Sequence, residues 1–294
     1  ICAPKCVSGE ILNIAGYRFV DLPDRDQLRE PFLEFCTDLD LRGSILLSPK
    51  GINFFLAGPE NRVSDFIDFL ESDVRFSGIP IKSSYTEYQP FRRMLVKKKN
   101  EIISLGLEEI SPSSFTGPHI KPSDFKKLLD DGRDILVLDT RNDYEVRIGS
   151  FEGAIDLGIS SFREFPSAID SLPDEYKSKQ VVMYCTGGIR CEKASAVMLN
   201  AGFSDVKQLE GGVLGYFEEC GGSYWNGDCF VFDQRVALNH KLSETNIEMC
   251  FKCREPLSVE EQKSDKYLIG EYCPYCYQEH TLVYGLSIHT QPSG

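Results

Sequence analysis

The segment that most constrains the fold is Val181-Val182-Met183-Tyr184-Cys185-Thr186-Gly187-Gly188-Ile189-Arg190-Cys191-Glu192-Lys193. A short apolar run ahead of paired glycines predicts a strand buried on both faces over Gln180–Tyr184. Strands of that kind belong to parallel sheets whose crossovers are helices, and a helix is expected over Glu192–Ala201. Cys185 then stands at the carboxyl end of its strand, where open α/β sheets gather reacting groups. Gly187 and Gly188 let the backbone curl with its amides turned inward, and the helix adds unpaired N–H groups and the positive end of its dipole. Thr186, Gly187, Gly188 and Ile189 therefore read as an anion-binding loop. With Arg190 as a nearby cation, the Cys185 thiol should be acidic and nucleophilic. A lone cysteine at a strand end would more often be a small buried hydrophobe. The glycines, the arginine and the following helix favour chemistry.

The flanking sequence repeats the α/β pattern. Helices are expected over Pro122–Asp130 and Phe165–Leu172 and from Gly215–Cys220, and strands over Asp134–Asp139 and Val206–Leu209. These elements make residues 118–225 one domain with a parallel sheet covered on both faces. Upstream, residues 1–105 show extended runs at Glu10–Asp21, Gly43–Leu47, Ile52–Ala57 and Ile79–Tyr88, with helical spacing over Asp26–Asp38 and Glu60–Leu70. The order βαββαβ is that of a ferredoxin-like (acylphosphatase-like) α+β domain, with Met94–Ile103 as an added strand. Residues 106–117, rich in Ser, Pro and Gly, read as a linker, and residues 226–294 as a small cysteine-rich segment.

Cysteine usage points to a reducing compartment. The chain has 11 cysteines, an odd number without the spacing of a secreted disulfide framework. Cys250-Phe251-Lys252-Cys253 and Cys273-Pro274-Tyr275-Cys276 form two C-x-x-C pairs 19 residues apart. Paired thiolate hairpins at such spacing suit a tetrahedral structural zinc, with Cys250, Cys253, Cys273 and Cys276 as the full ligand set and no position open for catalysis. A redox dithiol would need a thioredoxin-like βαβ frame that is missing here. Cys220 and Cys229 read as packing residues, and His280 and His289 as surface residues.

A formal charge of −13 disfavours nonspecific coating of nucleic acid. A local cationic stretch nevertheless exists at Arg92, Arg93, Lys97, Lys98 and Lys99, either an RNA-gripping patch or a solvated strand edge. Tyr85, Tyr88 and Phe91 beside it would stack on bases or lie buried in an amphipathic strand. No apolar run approaches the ~18 residues of a membrane span. The start, Ile1-Cys2-Ala3-Pro4, lacks a signal peptide pattern and a Met. A fragment or a processed chain is expected, cytoplasmic or organellar with a removed leader.

Cys185 to Arg190 matches the six-residue C-x-x-x-x-R loop of the rhodanese superfamily. Leu138-Asp139-Thr140-Arg141, Glu145 and Gly149-Ser150-Phe151-Glu152-Gly153-Ala154 resemble its amino-terminal signature, with Ser150 where many members have histidine. Met183 to Lys193, Glu210-Gly211-Gly212 and Phe230-Val231-Phe232-Asp233 look more like one branch, the tRNA uridine hydroxylase family TrhO, and that resemblance spans nearly the whole chain. It implies oxygen-dependent conversion of wobble uridine 34 to 5-hydroxyuridine, the tRNA anticodon stem-loop as partner and molecular oxygen as cosubstrate. No flavin or nicotinamide motif is visible. The resemblance also favours Cys191 as a second functional thiol; from spacing alone a buried helix residue fits as well. Arg141 could hold a phosphate or carboxylate, or pair with Glu145 or Asp143 on the surface. Asp139 fits best as a brace for its loop, and Glu192 and Lys193 as solvated helix-flanking charges. In this reading Cys185, Arg190 and Cys191 are catalytic, and Arg141, Arg92, Arg93 and Lys97 bind substrate. The same loop would also serve a sulfurtransferase working through a Cys185 persulfide. A non-enzymatic zinc module is disfavoured by the intact loop.

Overall fold

Alternation along the first strand sets the first layer. In a computed structural model describing residues 10–278, β1 (Ile11–Arg18) points Leu12 and Ile14 into a core, and Ala15 and Tyr17 the other way. Gly16 continues the inward row because the Phe54 ring would stand 2.6 Å from any Cβ there. The chain continues through α1 (Arg25–Asp38), β2 (Arg42–Ser48), β3 (Gly51–Gly58), α2 (Glu60–Glu71), β4 (Ile81–Thr86) and β5 (Met94–Lys98). Strand order is β4-β1-β3-β2-β5, with β5 added parallel to β2 at the edge. Phe32 and Cys36 of α1 and Val63, Phe66 and Leu70 of α2 cover one face by packing on Ile45, Leu47, Phe54 and Leu56. Each such fully buried side chain contributes about 1.5–3 kcal/mol. The helix-free face carries Ala15 and Tyr17 and turns toward the next domain.

The second domain is built on β6 (His119–Ile120), α3 (Pro122–Asp130), β7 (Ile135–Asp139), α4 (Asp143–Val146), β8 (Gly149–Phe151), β9 (Ile155–Asp156), α5 (Phe165–Asp170), β10 (Gln180–Tyr184), α6 (Ile189–Asn200), β11 (Asp205–Leu209), α7 (Gly212–Cys220) and β12 (Trp225–Gly227). Its sheet, β6-β11-β10-β7-β9, is parallel throughout and places the buried β10 at the centre. One face packs against α5 and α6, the other against α3 and α7. Segments 106–117 do not hang free. Ile110 is buried with Leu105 against the α5–α6 side, and Gly117 N–H donates to Ser195 Oγ at 2.9 Å.

Two helices begin earlier than periodicity predicts. Gly188, at φ +98°, lets the chain turn straight from the loop into α6 at Ile189. Gly211 and Gly212, at φ +69° and +62°, do the same for α7. Beyond β12, the hairpins β13 (Cys229–Phe230) with β14 (Ala237–Leu238) and β15 (Glu248–Met249) with β16 (Pro256–Leu257) lead to a short α8 (Val259–Gln262). His280 and His289 lie outside the described residues. No helix among the described residues is long and apolar enough to cross a membrane.

Candidate active site and metal cluster

The loop after β10 closes around the Cys185 sulfur. Gly188 N–H donates to Cys185 Sγ at 3.1 Å, and the Arg190 and Cys191 amides also act on it. The loop is held from behind by α7, whose Val213 and Leu214 N–H groups donate to the Cys185 and Thr186 carbonyls at 2.9 and 3.1 Å. Only glycine fits at 212, where a Cβ would stand 2.4 Å from the Cys185 carbonyl oxygen. Burial by itself pushes the Cys185 thiol up. The neighbouring Cys191 thiol, the Arg190 charge and the amides outweigh burial and bring the thiol down to about 6. Cys191 is fully buried beside it, with Thr140 Oγ1 3.7 Å from its sulfur. Burial and the neighbouring Cys185 push Cys191 well above the usual thiol range. Cys185 itself is only 1% exposed. Any reagent therefore reaches the sulfur only when the groups covering it shift.

Arg190 is fixed by a buried partner. Its two terminal nitrogens donate to Glu145 at 2.6 and 2.7 Å, and both side chains are almost fully buried. Glu145 also caps α4, accepting from the Asn142 N–H at 3.2 Å, and Thr186 Oγ1 donates to it at 3.4 Å. Burial would push the Glu145 carboxyl up, but the Arg190 and Arg141 charges hold it below the usual carboxylate range. Arg190 thus contributes a fixed charge beside the thiolate, with its fork committed to Glu145.

Arg141, expected at the substrate, has its guanidinium committed inside the protein. It has no exposed surface, donates twice to Asp139 at 2.9 and 2.6 Å and once to the Gly149 carbonyl at 2.6 Å, and lies over Trp225 and Tyr184. Its ion-pair partner is the nearby Asp139; Glu145 receives only a long bond at its backbone carbonyl, 3.5 Å. Asp139 does brace the turn, accepting from the Arg141 N–H at 3.0 Å. Glu192 and Lys193 are likewise not free surface charges. Lys193 is 5% exposed and bonded to Glu101 at 2.5 Å.

Glu192 is the centre of a polar hub that ties three parts of the chain to the active helix. Its carboxylate accepts from Tyr17 of the first domain at 3.3 Å, from Thr116 at 2.7 Å and from Gln208 at 3.3 Å, and lies 3.2 Å from His119 Nε2. Burial pushes Glu192 up, yet these hydrogen bonds hold it low, and its contact raises His119 above the ordinary histidine value. Tyr17 reaches the loop itself, since its hydroxyl would stand 2.9 Å from a Cβ at Gly188. Burial, then the charges of Glu192, Cys185 and Cys191, push the Tyr17 phenol far up, so it remains a donor. Sequence reading missed Tyr17 and His119. Nothing local marks either one, because their partner lies far along the chain.

Lys97 shares a row with Tyr17. Register pairs Tyr17 with Asn53, Asn53 with Leu46 and Leu46 with Lys97, so all four face the same way, Lys97 about 14 Å from Tyr17 across three strand spacings. Arg92, Arg93 and Lys97 are exposed. Lys98, one step on, pairs with Asp26 instead. Tyr85 and Tyr88 donate to Glu60 and Glu244, and Phe91 lines the cleft between the first domain and α7.

The four paired cysteines converge. All sulfurs lie within 4.8 Å of one another, with 3.5 Å between Cys253 and Cys273, 3.8 Å between Cys273 and Cys276 and 4.0 Å between Cys250 and Cys276. Tetrahedral coordination with ~2.3 Å metal–sulfur bonds spaces sulfurs ~3.8 Å apart, so this donor set fits a metal ion.

Comparison with known proteins agrees with this architecture. Residues 11–102 match the family model described as UPF0176 acylphosphatase like domain, and residues 121–219 match the Rhodanese-like domain. A protein of Cupriavidus pinatubonensis named tRNA uridine(34) hydroxylase is 46% identical over 92% of this chain and 98% of its own length. A protein of the same name from Acaryochloris marina is 44% identical over 92% of this chain and 88% of its own.

Proposed function

We infer that this chain, which belongs to the tRNA uridine(34) hydroxylase family, hydroxylates the wobble uridine of tRNA with Cys185 as its essential thiol. The observation that carries the reading is the placement of two thiols: Cys185 accepts the Gly188 N–H at 3.1 Å, and Cys191, on the first turn of α6, is buried in the same cluster. Sulfur transfer needs a single persulfide-bearing cysteine. Hydroxylation by dioxygen needs two electrons and two protons, because one oxygen atom enters the base and the other leaves as water. Joining Cys185 and Cys191 as a disulfide releases two electrons and the Cys191 proton, and solvent supplies the second proton. Arg190 and the loop amides would hold negative charge developing beside the sulfur. Exposed Arg92, Arg93 and Lys97 would meet RNA phosphates; Lys97 shares a face with Tyr17, which touches the loop. The metal held by Cys250, Cys253, Cys273 and Cys276 would be zinc in a structural role, since four thiolates leave no open position.

The test incubates purified protein with undermodified tRNA in air and analyses nucleosides by mass spectrometry, alongside thiocyanate formation from thiosulfate and cyanide. The expected result is one oxygen atom gained on the wobble uridine, absent in Cys185→Ser, and a Cys185–Cys191 disulfide after a single turnover without reductant. Robust thiocyanate with unchanged tRNA would overturn the reading.

A further inference from the structure

The Phe230-Val231-Phe232-Asp233 segment has no part in the thiol chemistry, yet it abuts the site. Phe230 is 2% exposed and Val231 4%, whereas Phe232 is 52% exposed. The exposed ring sits on a rigid base. It meets Phe230 edge-on at 5.1 Å, Phe230 meets Tyr144 edge-on at 5.3 Å, and Thr186 of the active loop donates to the Phe230 carbonyl at 3.4 Å. The backbone is locked from both sides. Val231 N–H donates to the Val236 carbonyl at 2.8 Å, and Asp233 accepts three bonds from Arg235, from its backbone N–H at 3.0 Å and its guanidinium at 2.8 and 2.5 Å. Arg235 in turn donates to Ser84 of the first domain at 2.7 Å. The guanidinium carbon of Arg190 lies 5.9 Å from the Phe232 ring centroid, which puts the open ring at the rim of the Cys185 loop.

We propose that Phe232 is the stacking platform for the pyrimidine base that reacts at Cys185. This rests on the function inferred above, which brings a single-stranded uridine to the site. A π-face binds any base without needing charge, and that suits a chain of net charge −13 whose active-loop arginine is already paired. Single-stranded RNA bases are commonly held in this way, splayed out onto an aromatic ring. A platform fixed by Asp233–Arg235 and Phe230 loses little freedom when the base lands, so the stacking contact is retained as affinity.

The test places a reporter at the platform. Trp225 is the only natural tryptophan and is 8% exposed, so Phe232→Trp adds an accessible indole. Titration of the full chain with a synthetic anticodon stem-loop bearing a wobble uridine should give saturable quenching of that indole, absent with the same sequence held in a duplex. Phe232→Ala should weaken binding about five- to 150-fold, Phe232→Tyr should stay near the parent, and Phe232→Leu should follow Ala. Cys185 alkylation against pH should be unchanged in all of them, which separates lost stacking from a damaged loop. Absent quenching, or Phe232→Leu binding like the parent, would overturn the platform. If quenching occurs but the parent adds no oxygen, the function falls and the platform stands. If the parent hydroxylates without quenching, the reverse holds.

Discussion

Replacing Arg190 by leucine separates two consequences of one side chain. The first concerns stability. Arg190 and Glu145 are joined by bonds of 2.6 and 2.7 Å with side-chain exposures of 5% and 0%. Removing the arginine strands a buried carboxylate, which costs ~3–5 kcal/mol. With urea slopes of about 1–3 kcal/mol per molar, the unfolding midpoint should fall by at least ~1 M. The second concerns the thiol. Arg190 is one of the charges holding Cys185 at about 6, so its loss moves the Cys185 titration upward. At pH 7 a thiol of that acidity is about nine-tenths ionised, and the variant should alkylate several-fold more slowly once the effect of accessibility is normalised at high pH. The double variant Arg190→Leu/Glu145→Leu distinguishes the two effects. Replacing a buried pair by apolar side chains restores most of the stability, whereas the thiol remains weakly acidic because the cation is still missing. Urea unfolding and iodoacetamide kinetics across pH measure both. The reasoning is refuted if the double variant is as unstable as the single one, or if its Cys185 titrates as in the parent.

Other positions give sharper single outcomes. Gly212→Ala forces a left-handed residue and drives a Cβ to 2.4 Å from the Cys185 carbonyl, so it should cost more than the ~1–2 kcal/mol of backbone strain alone and disturb Cys185 alkylation; a variant with parent-like melting and kinetics contradicts that geometry. Metal removal by a chelator, or Cys276→Ser, should unfold the cysteine-rich segment and leave those cysteines open to alkylation, and elemental analysis should find one zinc per chain; protein purified without chelator and lacking metal contradicts the cluster. Because Glu192 raises His119 above its ordinary value of 6.5, the stabilisation it contributes is complete below that value and lost as pH rises through the raised one. His119→Gln should therefore lower stability in mild acid and match the parent in alkali; a pH-independent difference removes that linkage.

The parts legible in the sequence are those whose physics is local. A buried strand, paired glycines and a helix start lie next to one another in residues 181–193, so the Cys185 loop can be read without a structure. The convergence of the four paired thiols is equally legible, because each C-x-x-C knuckle brings two sulfurs together by itself. Strands β8, β9 and β12 contain two or three residues each, too few to show a period. The early starts of α6 and α7 follow from left-handed glycines, which apolar spacing does not reveal. The fold-back of Arg141 on Asp139 was not legible, because a strand-end arginine two residues after an aspartate reads alike whether it faces outward or turns back on that carboxylate. Tyr17 and Glu192 meet only because two domains pack together, as do Arg235 and Ser84. Such contacts depend on docking, for which neither partner carries a local mark.

The most direct measurement is the pH profile of Cys185 alkylation in the full-length protein, read peptide by peptide with mass spectrometry so that the metal-cluster thiols are scored apart. The account predicts half-maximal reactivity of Cys185 near pH 6, with Cys191 unreactive throughout the neutral range. A Cys185 that titrates near its ordinary thiol value of 9.0 would contradict it, because the amide loop and Arg190 would then not be stabilising the thiolate.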